Sequence, residues 1–113
     1  MVPQKKTNIK YPKYIYGAIF YTFIVQMKYR GVAKVHLNEA VALRIKELCE
    51  ENELTQYQLY LKSGVPQSTL STIMKCSYPS MKLRIIYEIC DGLSISLNDF
   101  FNSPLFDRNN IED

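Results

Sequence analysis

The segment Gln67-Ser68-Thr69-Leu70-Ser71-Thr72-Ile73-Met74-Lys75 gathers side chains that can read hydrogen-bonding edges. Gln pairs bidentately with adenine, and Ser or Thr bonds to several base edges or to phosphates. Leu70, Ile73 and Met74 recur at i, i+3 and i+4, which makes one apolar stripe on a helix. That helix buries the stripe and turns Gln67, Ser68, Thr69, Ser71 and Thr72 outward, with Lys75 at its end. Such residues are poorer helix formers than Glu, Lys or Ala. Their use on an exposed face points to a task other than helix stability. A merely solvated polar face is the plain alternative.

The charge pattern around this helix supports a polyanion-facing surface. The whole chain of 113 residues is only +3, too little to argue for nucleic acid by itself. Residues 1–26 carry Lys5, Lys6, Lys10 and Lys13 and no acid, whereas residues 27–113 hold 10 basic and 11 acidic side chains. Within the latter, Leu54 to Tyr87 contains Lys62, Lys75, Lys82 and Arg84 and neither Asp nor Glu. Glu39, Glu47, Glu50, Glu51 and Glu53 precede that window; Asp91, Asp99, Asp107, Glu112 and Asp113 follow it. A surface that meets polyanions needs such an acid-free stretch.

Other chemistries lack their residues. The single histidine is His36, and Cys49, Cys76 and Cys90 show no C-x-x-C pairing. A structural zinc site and a disulfide framework are therefore not expected, and neither is any cofactor. Reduced thiols fit a cytoplasmic protein, with Cys49 and Cys90 as small core residues. No nucleophile–base constellation suggests an enzyme.

The elements that position the polar helix follow from caps and periodicity. Asn38 reads as an N-cap with Glu39 at the positive end of a first helix, about 39–52, built on Val41, Ile45, Leu48 and Cys49. Thr55 caps a short second helix whose core residue is Leu59, and Ser63-Gly64 ends it. Val65 follows as an apolar plug, and Pro66 opens the polar helix. Pro79 breaks the chain before a fourth helix, about 81–92, striped by Leu83, Ile86, Ile89, Cys90 and Leu93. Ser96 and Asp99 form a capping-box pair for a fifth helix carrying Leu97, Phe100 and Phe101. The fold class is thus all-α with five helices. Residues 1–37 read as a non-conforming extension, 38–102 as the helical domain and 103–113 as a frayed polar tail.

Tyr14 to Val25 is an uncharged run of 12 residues, too short to span a membrane, which takes ~20. Three readings apply to it. A signal peptide fits the leading lysines but not Lys28, Arg30 and the lack of a cleavage site. A strand packed on the domain fits Tyr, Ile, Phe and Val. Composition favours a third: Lys, Asn, Ile, Tyr and Phe make up 15 of residues 1–26, the look of translated AT-rich spacer with Met27 as the native start.

Two short helices around a Gly-bearing turn, the second polar outside, form a helix-turn-helix arrangement. Over about residues 40–101 the chain resembles the phage-repressor-type (XRE, Cro-like) helix-turn-helix family. The matching blocks are RIKELCEENELTQ (44–56), KSGVPQSTLSTI (62–73) and ICDGLSISLNDFF (89–101). The resemblance implies a five-helix, lambda-repressor-like domain that binds a two-fold double-stranded DNA operator as a homodimer. It implies a phosphate contact for Gln56, which a helix N-terminus also favours. It implies that Gln67, Ser68 and Thr69 face bases, with Ser71 and Thr72 one turn on. Lys75 would contact phosphate, and Lys82 more weakly.

Three departures stand out. Tyr60 replaces a generally small residue between the motif helices, Cys76 stands where Gly often closes the recognition helix, and the recognition face lacks Arg. For the dimer surface, Leu105 and Phe106 are the expected residues, because the polar tail offers them no evident core partner; Phe100 is expected to fill the core. Transcriptional repression is the leading reading. An antitoxin that holds its toxin through the C-terminal tail, and a helical adaptor that has lost DNA binding, are the alternatives.

Overall fold

A computed structural model describes residues 34–113. The readings of residues 1–26 and of a start at Met27 lie outside the described residues. Five helices follow in order: α1 Leu37–Glu51, α2 Gln56–Ser63, α3 Gln67–Met74, α4 Leu83–Leu93 and α5 Leu97–Phe101. Two 3-10 turns, Pro104–Phe106 and Arg108–Asn110, complete the chain.

The expected stripes form one core, except that Leu83 and Phe101 stay exposed outside it. Ile45, Leu59, Val65, Leu70, Ile89, Cys90 and Phe100 are almost fully buried in it. Burying each large apolar side chain contributes about 1.5–3 kcal/mol relative to leaving it exposed. Val65, alone between two helices, is buried as the plug that the turn needs. Gly64 precedes it at φ 79°, the left-handed conformation that a residue with a Cβ adopts only at a cost.

α2 and α4 pack at unusually close range because Gly92 has no side chain. A Cβ there would meet Ser63 Cα at 2.8 Å and the Lys62 carbonyl at 2.9 Å. Gly92 therefore fixes where the end of α2, and the turn into α3, can sit.

Caps account for the helix ends. Thr55 Oγ1 accepts from the Gln58 N–H at 3.1 Å, while Gln58 Oε1 accepts from the Thr55 N–H at 2.8 Å. Ser96 and Asp99 repeat this reciprocal pattern at 3.0 and 3.1 Å. Asn38 does not cap α1. The helix starts at Leu37, where carboxylates accept from the first amides: Glu39 from the His36 N–H at 2.9 Å and Asp113 from the Leu37 N–H at 3.0 Å. α4 starts at Leu83, after Lys82 in extended conformation.

The segment 103–113 is not frayed. The Val35 N–H donates to the Asn110 carbonyl at 3.0 Å, and the Glu112 N–H donates to the Val35 carbonyl at 2.8 Å. These bonds make a parallel bridge between Val35 and Ile111. The half-turns before it place Leu105 against Val35 and Ala40 as a second small core. Leu105 is 1% exposed, so it belongs to the interior of its own chain and cannot serve as a free dimer surface. Phe106 is half-buried and already packed, with its ring 4.9 Å from Phe101 and 6.0 Å from Phe100. The sequence missed this bridge because it pairs two single residues at opposite ends of the described chain.

Candidate nucleic-acid interface

α3 presents the face that its sequence predicts. Leu70 and Ile73 are buried, Gln67, Ser68 and Lys75 are exposed, and Thr69, Ser71 and Thr72 are half-exposed on the outer side. Lys82 is exposed at the entry to α4. Gln56 opens α2, and its Nε2 donates to Ser71 Oγ at 3.1 Å. The second N–H of that amide stays available to a phosphate oxygen. Gln56 and Ser71, 15 residues apart in sequence, thus form one unit that ties α2 to the outer face of α3.

These bonds set what each hydroxyl can still do. Ser71 Oγ already accepts from Gln56, so its own O–H is free to donate. Thr72 Oγ1 spends its hydrogen on the Ser68 carbonyl at 3.0 Å, so it faces outward as an acceptor. A donor and an acceptor side by side, with Gln67 one turn earlier, make a patterned surface.

An open cleft of about 250 Å³ flanks this face. Thr69, Thr72, Tyr78, Lys82 and Asn38 contribute to its walls. Asn38 Nδ2 donates to the Tyr78 carbonyl at 2.9 Å and so holds the loop after α3 against the start of α1. Sequence reasoning missed Asn38 and Tyr78 here. The signal for Tyr78 was its place within the acid-free window.

Arg44 positions α5. Its Nε and Nη2 donate to the carbonyls of Phe100 at 2.6 Å and Asp99 at 2.7 Å, and Nη1 pairs with Glu47 at 2.8 Å. It thereby satisfies the last carbonyls of α5 and locks that helix onto α1.

Residues 44–104 match the family model of the Cro/C1-type HTH DNA-binding domain. The chain belongs to this family. Its motif helices are α2 and α3, and its expected contact residues lie on the one face just described. Comparison with curated proteins and with solved structures finds no match.

The family match covers residues 44–104, so the Val35–Ile111 bridge lies outside the matched residues. Among the described residues, no group of His, Cys, Asp and Glu could hold a metal ion, and no helix is long and apolar enough to cross a membrane. The cysteines are free thiols. Burial pushes Cys49 up to about 11, and raises Cys76 and Cys90 as well. None of the three is an activated thiolate at neutral pH.

Proposed function

We propose that this Cro/C1-type protein binds a two-fold operator in duplex DNA as a homodimer and represses transcription in the cytoplasm. The observation that carries this reading is the face of α3. Gln67, Ser68, Thr69, Ser71 and Thr72 lie on the exposed or half-exposed side of α3, within a stretch free of carboxylates and followed by Lys75 and Lys82. Gln67 would pair with adenine, Ser71 would donate and Thr72 would accept at neighbouring base edges. Gln56, Lys75 and Lys82 would hold the phosphates and fix the register. One Gln–adenine pair discriminates by roughly 1–3 kcal/mol. That is thin for a single half-site, so doubling by a dimer belongs to the reading.

The antitoxin reading drew on a free tail. Leu105 and Phe106 are instead engaged within the chain, and the last residues are bonded to Val35, His36 and Leu37.

The test is selection of tight binders from random duplexes by the full chain and by Gln67→Ala. A two-fold consensus with A·T at one position per half-site, relaxed at that position in the variant, is expected. An unchanged consensus removes Gln67 from the reading. No selected consensus at all removes the operator.

A further inference from the structure

The dimer surface must lie elsewhere than on Leu105, and the outer face of α4 has the features of one. Leu83 is 62% exposed and Tyr87 48% exposed. Arg84, Tyr87 and Asp91 recur at i, i+3 and i+7, a stripe opposite the buried Ile86, Ile89 and Leu93. The Arg84 guanidinium lies 6.0 Å from the Tyr87 ring centroid. Neither Arg84 nor Asp91 makes an ion pair with a described residue. Half-buried Glu88 lies on the edge of the stripe away from Tyr87.

Both charges are set against their own helix. Arg84 occupies the first turn of α4, where the dipole favours an anion, and Asp91 the last, where it favours a cation. Neither placement gains from the dipole of its own helix. A second copy turned about a two-fold axis perpendicular to α4 runs its α4 in the opposite direction. Seven residues at about 1.5 Å per residue separate the two charges by roughly 10 Å along the axis. A two-fold axis midway between them brings each Arg84 to Asp91 of the second copy, twice over, with Tyr87 near the axis and Leu83 at the flank. Isologous contacts have this reciprocity.

We propose that the Leu83–Arg84–Tyr87–Asp91 face of α4 is the homodimer surface, two copies packing α4 antiparallel through reciprocal Arg84–Asp91 pairs. The proposal deepens the dimer reading above and rests on it. The occupant is a second copy because the stripe is complementary in charge to itself once reversed.

Sedimentation velocity on the full chain without DNA tests it, comparing wild type, Arg84→Asp, Asp91→Arg and the double exchange. Each single reversal turns two attractions into two repulsions and weakens self-association by on the order of a hundredfold. The double exchange restores it. Each reversal also suits the α4 dipole, so thermal melting verifies that the variants stay folded. A monomeric wild type, single variants that still dimerise, or an exchange that fails to restore the dimer overturns the proposal. Duplex binding is measured separately on the same samples. An intact dimer that binds no DNA counts against the operator reading and leaves the interface standing.

Discussion

Cys76 sits at φ 53°, in the left-handed region. For a residue with a Cβ this conformation costs about 1–2 kcal/mol. Its place explains the strain: its N–H donates to the Ile73 carbonyl at 3.0 Å and the next N–H, of Ser77, reaches the Thr72 carbonyl at 3.3 Å. Cys76 thus does the work of a helix-closing glycine. Cys76→Gly is expected to raise stability by about 1 kcal/mol in urea unfolding, and a loss would mean that the half-buried thiol contributes more than its backbone costs. The sequence showed that a glycine was missing there. It could not show whether the backbone had kept the left-handed turn. Similarly, Gln56 and Ser71 were each expected from the sequence to face DNA, but their mutual hydrogen bond joins positions far apart in sequence and needed the fold.

At the scale of elements, the motif depends on how tightly α2 lies on α4. Gly92→Ala places a methyl group 2.8 Å from Ser63 Cα, a backbone atom that cannot step aside. Overpacking of this kind costs about 1–3 kcal/mol. The expected result is a lower urea midpoint together with weaker duplex binding, since α2 carries Gln56 and leads into α3. Unchanged stability would show that the two helices part freely. Thr55→Ala removes a reciprocal cap and is expected to cost about 1 kcal/mol in the same measurement, with no loss at all counting against the cap. The caps at Thr55 and Ser96, the Gly64 turn and the apolar stripes were legible because they are local. The start of α1 was not, because the group that accepts from the Leu37 N–H is Asp113, at the far end of the chain.

For the whole molecule, the two ends of the described chain close on each other. His36 Nδ1 and Asp113 Oδ1 are 2.9 Å apart. Hydrogen bonding to Asp113 raises the His36 imidazole above its ordinary 6.5. The Leu37 N–H, then His36, lowers the Asp113 carboxyl below its ordinary 3.8. Asp113 favours the closed ends above its ordinary value and gives this up as pH falls through the lowered one. His36 favours them fully below 6.5 and gives this up as pH rises through its raised value. Hydrogen exchange of the Glu112 amide, bonded to Val35, is therefore slowest relative to its intrinsic rate in the mildly acidic range between the two. Protection that stays the same when pH leaves that range on either side would separate the closure from these charges. A polar composition concealed this packing, since Leu105 finds its partners, Val35 and Ala40, only after the chain has turned back.

A salt titration of duplex binding by the full chain tests most directly whether duplex DNA meets the α3 face. Affinity is expected to fall steeply and linearly in log–log form as salt rises, as counterions return to the phosphates. Lys75→Ala and Lys82→Ala are each expected to make that slope shallower by about 1. No association with duplex DNA at low salt, or slopes untouched by both substitutions, would contradict the assignment of this face.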